Sequence, residues 1–125
     1  FSELTGKTVE LKSLQDYPLL MLEASTSTQR AITAFTGSLG IQLHPEIEPA
    51  SLELMVELAK NGLGIACLPR EFAERELNEG SLKEIKTDPA LPPRAIGLAL
   101  PKNVAPTFAV REFIELVNNK IINKE

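Results

Sequence analysis

The chain of 125 residues, 43% hydrophobic and 24% charged, is long enough for one soluble globular domain with its own core. Five Phe, one Tyr and no Trp make that core aliphatic, one cysteine excludes an internal disulfide, and a formal charge of −4 removes any general electrostatic drive toward nucleic acid. No apolar run reaches the roughly 20 residues that crossing a bilayer requires, and the N-terminus lacks the charged-then-apolar signal pattern, so no membrane partner and no oxidising compartment are expected.

In chain order, Val9 and Leu11 alternate with charged residues in a polar opening segment, an extended pattern, and 11–15 reads as one helical turn before Asp16-Tyr17-Pro18. Leu19-Leu20-Met21-Leu22 is a continuous apolar run, as in a strand buried on both faces. Cap-forming residues follow it, and Thr26-x-x-Gln29 fits a capping box. The helix it opens should turn Ile32, Phe35, Thr36 and Leu39 inward and stop at Gly40. Residues 44–48 read as a more polar strand whose Pro45, lacking a ladder donor, belongs at an edge.

A helix beginning at Ser51 comes next. Leu52, Met55, Val56 and Ala59 recur at helical spacing, and Leu54 and Leu58 widen that face. Gly62 closes the helix as a left-handed residue, and Gly64 is read as letting the chain turn at once into a buried strand over 64–68. Pro69 is placed to open a helix to about Asn78, with Phe72, Ala73 and Leu77 inward and Gly80 at its end. A short strand is expected at 82–86, a proline-rich loop at 87–93, a last strand at 94–100, and the longest helix at 106–122, with Val110, Phe113, Ile114, Val117 and Ile121 as its stripe. Alternating strands and helices predict an α/β fold with a mixed, mainly parallel sheet flanked by helices.

In such sheets ligands bind beyond the carboxyl ends of the strands. Two strand ends here run directly into helix N-termini, around Ala24, Ser25, Thr26 and Ser27 and around Pro49, Ala50 and Ser51. Unpaired N–H groups and the positive dipole end suit a small carboxylate or sulfate-like anion, and the hydroxyls of Ser25, Thr26, Ser27 and Ser51 would add selectivity. The same residue types are also ordinary helix caps. Cys67, inside an apolar strand, reads as a small hydrophobe, and His44 as a solvent-facing group at a strand start. No metal-ligand spacing, phosphate loop or nucleophile elbow is present, so neither enzyme chemistry nor a cofactor is expected. Glu53, Glu57, Glu71, Glu74, Glu76 and Glu79 read as solvated helix faces, and Arg30 and Arg94 as partners in exposed ion pairs.

The run GLGIACLP, preceded by a capped helix and followed by EFAERELNEGSLKEI, resembles the C-terminal part of the effector-binding domain of LysR-type transcriptional regulators. The resemblance continues upstream through LKSLQDYPLLML and TSTQRAITAFTGSLGI, and downstream through RAIGLALPKNVAPTFAVREFIEL, so it rests on the order of motifs. It implies a periplasmic-binding-protein type II-like subdomain over 1–101, with 102–125 as a C-terminal helix returning to another subdomain. It further implies a cytoplasmic regulator, a homodimer or higher oligomer, that senses a small, anionic metabolite and meets DNA only through an N-terminal helix-turn-helix outside this sequence. Effector contact would then fall on Ala24, Ser25, Thr26, Ser27, Thr28, Ala50 and Ser51, with Ala50 standing where some relatives carry a hydroxyl and Ala105 where the family often has serine. The alternative is one lobe of a transporter-linked solute-binding protein, whose two-lobed fold is similar; an enzyme built on Cys67 or a carboxylate is a third reading.

Overall fold

The computed structural model describes the backbone of residues 1–122 and the side chains of residues 1–120. The chain divides into a first unit, Phe1–Pro92, and a second that begins at Pro93.

The first unit is built around β2 (Leu19–Leu20). Parallel neighbours pair with it on both sides, β3 (Pro45–Ile47) and β4 (Ile65–Ala66), in the order β3-β2-β4. Leu19, Leu20 and Met21 are all buried, as the uninterrupted apolar run requires of a central parallel strand. Pro45 lies on the edge strand β3, where its missing N–H breaks no ladder. A second parallel pair joins β1 (Thr8–Glu10) to β5 (Lys86–Asp88). Between β1 and β2 runs a 3-10 helix, Leu11–Asp16.

Helices α1 (Ser27–Ser38) and α2 (Leu52–Lys60) follow β2 and β3, while a 3-10 helix, Arg70–Ala73, leads from β4 into α3 (Glu74–Glu79). Val9, Leu11, Leu14, Leu19, Met21, Ile65 and Cys67 form one buried cluster, against which Ile32, Phe35 and Ile85 pack. Left-handed glycines punctuate the helix ends: Gly62 at φ 75 after α2, and Gly80 at φ 78 closing α3.

Several expectations fail for identifiable reasons. Leu39 lies beyond the last turn of α1 and is exposed, as is Leu54, 46% open on the far side of α2 from Met55 and Val56. Pro69 has extended dihedrals and opens a 3-10 turn instead of an α-helix, and Phe72 is 51% exposed. Ala73 and Glu76 take the buried face, with Leu77 half-buried. Glu76 is therefore not on a solvated face: it is only 4% exposed, and its carboxylate accepts hydrogen bonds from Arg75 Nη2 at 2.7 Å and Nε at 3.1 Å. The strand expected at 82–86 starts four residues later. Ser81 and Leu82 are still tied to the end of α3 through the Glu76 carbonyl, and only from Lys86 does the chain reach register with Thr8.

In the second unit, residues 94–100 form no strand, because no neighbouring backbone takes up their hydrogen bonds in a ladder. Helix α4 (Phe108–Ile122) starts two residues later than expected, and Thr107 Oγ1 accepts from Val110 N–H at 3.4 Å. That hydroxyl supplies the cap that Ala105 cannot. Val110, Ile114 and Val117 are half-buried while Phe113 is exposed; the Ile121 side chain lies outside the described residues.

Candidate functional site

Because β2, β3 and β4 are parallel, their carboxyl ends lie along one edge of the sheet. Leu20 pairs with Ile47, and Met21 N–H continues the contact to the Ile47 carbonyl at 3.2 Å. From this shared end one chain segment runs through residues 22–26 into α1, the other through residues 48–51 into α2. All seven residues singled out from the sequence lie on these two connections and the first turn of α1.

Their local roles differ. Thr26 is the N-cap of α1: its Oγ1 accepts from Gln29 N–H at 3.2 Å and donates to the Glu23 carbonyl at 2.8 Å. Ser51 is the N-cap of α2, its Oγ accepting from Leu54 N–H at 3.2 Å. Both caps form because a hydroxyl in extended backbone stands in for the carbonyl that the helix start lacks. Each covers one N–H of its helix, Gln29 in α1 and Leu54 in α2. Ser25 is exposed and its Oγ stands 3.5 Å from Glu23 Oε2, so a carboxylate shares this rim. Ala24, Ser27 and Ala50 are exposed; Thr28 and Ser51 are half-buried. Ala50 brings a methyl but no side-chain donor to the α2 end.

Only half of the capping box is made. The Gln29 side chain does not reach back to Thr26 N–H, which instead donates to the Glu23 carbonyl at 3.0 Å. Gln29 Nε2 donates to Thr33 Oγ1 at 3.3 Å, and its buried Oε1 has no hydrogen-bond partner. From the sequence Gln29 is expected only in a capping role, and nothing in its type or spacing marks the orphaned oxygen.

The same sheet edge also carries the end of β4, which the sequence reading left out of the site. Arg70, in the 3-10 helix beyond it, pairs with Glu84 through Nη1 and Oε2 at 3.0 Å, both side chains being exposed. Cys67 is remote in character from a nucleophile: burial pushes its thiol up to about 11. Among the described residues no group of three or more His, Cys, Asp or Glu could hold a metal, and no helix is long and apolar enough to cross a membrane.

The chain matches the family model described as the LysR substrate binding domain over residues 2–121. It is similar to the phosphonates import ATP-binding protein PhnC of Anaeromyxobacter dehalogenans (strain 2CP-C), 21% identical over 122 residues, 95% of this chain and 24% of that protein. The chain thus spans about a quarter of the length of the curated relative it matches.

Proposed function

Since the chain belongs to the LysR substrate-binding domain family, whose fold is the periplasmic-binding-protein type II-like α/β architecture, we propose that it is the effector-sensing part of a LysR-type transcriptional regulator. It binds a small oxyanion without transforming it. The observation that carries this reading is the pairing of β2 with β3 in parallel, which sends two capped helix starts, Thr26 of α1 and Ser51 of α2, out of one sheet edge. Two positive dipole ends with outward N–H groups favour an anion by about 0.3–1 kcal/mol each at an exposed site, more where water is excluded.

The residues bind and orient. Thr26 and Ser51 hold their helix starts in shape, Ser25, Ser27 and Thr28 set the hydroxyl pattern around the anion, and Ala50 leaves an apolar spot. The Glu23 carboxylate beside Ser25 disfavours a second negative charge near that point. The effector acts by preferring one arrangement of subunits, so its free energy of binding becomes a shift between two states. In such a regulator DNA contact belongs to a helix-turn-helix outside this sequence, assembly is a homodimer or larger oligomer, and the location is the cytoplasm. The domain boundary falls near residue 101, with 102–125 serving a second subdomain.

A second reading, a lobe of a transporter-linked solute-binding protein, rests on the periplasmic-binding-protein type II-like fold that such a lobe would share; the likeness to a phosphonates import protein is to one named as ATP-binding and supplies no solute lobe. It uses the same two helix starts, so the oxyanion chemistry is common to both. The test is a gel-shift titration with the protein of the complete gene, with and without methylphosphonate, phosphate or acetate. An effector-dependent change in DNA affinity that Ser51→Ala abolishes supports the regulator; no specific DNA complex with or without ligand refutes it.

A further inference from the structure

A groove of about 800 Å³ in the first unit is bounded on one side by residues 64–68 of the β4 run and on the other by residues 80–87, the run into β5. It is separate from the two helix starts, since none of residues 22–28 or 48–54 lines it. Its volume falls within the roughly 300–1,000 Å³ of small-molecule pockets. Along the β4 wall, Ile65 N–H donates to the Pro18 carbonyl at 2.8 Å and Cys67 N–H to the Leu20 carbonyl at 3.0 Å, so both serve β2. The backbone of Ala66 between them faces the other way, because alternate residues of a strand bond to opposite sides. It offers the groove one polar edge in an otherwise alkyl wall.

The lining is apolar in the middle and cationic at the rim. Ala66, Leu68 and Ile85 are half-buried and Leu91 is 36% exposed, so their alkyl surface is open to a visitor. Glu84 and Lys86 continue from the groove into a corner of about 210 Å³ that Lys7 and Thr8 share. Among the described residues that line the groove and its corner, the cations Lys7, Arg70, Lys83 and Lys86 stand against a single carboxylate, Glu84. The chain as a whole carries −4, so this positive field is local. Glu84 is already taken by Arg70 at 3.0 Å, and Lys83 and Lys86 have no ion-pair partner among the described residues.

We propose that this groove is a second binding site, for an apolar monocarboxylate: an aromatic or short aliphatic body lying between Ala66 and Ile85, with its one carboxylate toward Lys83 and Lys86. Charge complementarity selects the anion, and the alkyl walls select the body. A neutral apolar molecule leaves the two ammonium groups unused, while a dianion brings its second charge toward Glu84. The Ala66 N–H remains for a polar substituent on the body. A small oxyanion of the kind assigned to the helix starts has no apolar part to fill this space, so the two sites take different ligands.

The experiment is an amide NMR titration of the 125-residue chain with 1-naphthoate and, separately, with 1-naphthylmethylammonium, which carries the opposite charge on the same ring system. The expected result is saturable naphthoate shifts at Ala66, Ile85 and Lys86 that excess phosphate leaves unchanged, and no saturable shifts there from the ammonium compound. Two variants at exposed positions separate charge from apolar contact. Lys83→Gln combined with Lys86→Gln, and Leu91→Ser alone, should each weaken naphthoate about fivefold or more, with the rest of the amide spectrum unchanged. Absence of saturable naphthoate shifts, equal binding of the ammonium compound, or an affinity unchanged in either variant would overturn the proposal. Naphthoate shifts gathered at Thr26 and Ser51 instead would overturn it too, while leaving the helix starts standing as an anion site.

Discussion

Gly64 lies against the Pro18 carbonyl so closely that a Cβ at this position would meet the oxygen at 2.7 Å and the Leu20 Cγ and Cδ2 at 3.1 Å. The residue is therefore not needed for a turn; it allows β4 to approach β2, and the obstructing atom is backbone that cannot swing aside. Overpacking of this kind costs about 1–3 kcal/mol. Gly64→Ala should lower the urea midpoint accordingly with an unchanged slope, whereas Gly37→Ala, with nothing within 4 Å, should not lower it.

The Arg75–Glu76 pair sets an acid limit on stability. Hydrogen bonding from Arg75 holds the Glu76 carboxyl below its ordinary value of 4.5, and the same bond raises the guanidinium. A lowered folded value means that stability is fully present above the ordinary carboxylate range and is lost as pH falls through the folded value. Thermal melts between pH 6 and pH 3 should show that loss, with a shallower fall in Glu76→Gln. That variant isolates the effect from Glu3, whose carboxyl is lowered by its own backbone N–H. Equal slopes for the two proteins would contradict the assignment.

Thr26→Ala and Ser51→Ala should each cost about 0.5–2 kcal/mol, because each hydroxyl accepts from a first-turn N–H. Thr26→Ser and Ser51→Thr retain an acceptor and should restore most of that stability. If the alanine variants bind oxyanion as well as the parent after stability is matched by temperature, the residues are caps and nothing more.

Cys67 should react slowly with Ellman's reagent at pH 8 and quickly in denaturant, because the buried thiol ionises only near about 11. Rapid labelling of the native chain would place the thiol in a more open setting and revive the reading of it as a nucleophile.

Legibility in the sequence followed the physics of each element. The strand at Leu19 and Leu20 was readable because burial on both faces leaves an unbroken apolar run, and the caps at Thr26 and Ser51 because a helix start needs an acceptor there. Periodicity misplaced Leu39, Leu54 and Phe72, since it says which residues share a face and not how far the neighbouring layer reaches. The strand expected at 94–100 failed on the same ground: alternation describes a face, but a strand exists only where another backbone accepts its bonds. Gly64 serves close approach and not the turn that its place before a strand suggests, and the sequence hides this because Pro18 is distant along the chain. At the candidate site the chemistry of capping and of anion binding calls on the same residues, so the sequence marks Thr26 and Ser51 as caps without separating that role from ligand binding.

The most direct test of the central claim is an amide NMR titration of the chain with methylphosphonate, phosphate, sulfate and acetate in turn. The account predicts saturable shifts concentrated at Ser25, Thr26, Ser27 and Thr28 and at Ser51, Leu52 and Glu53, the paired helix starts, and their loss in Ser51→Ala. Shifts that fail to saturate, or that gather along Gly64, Ala66 and Lys86 instead, would contradict it.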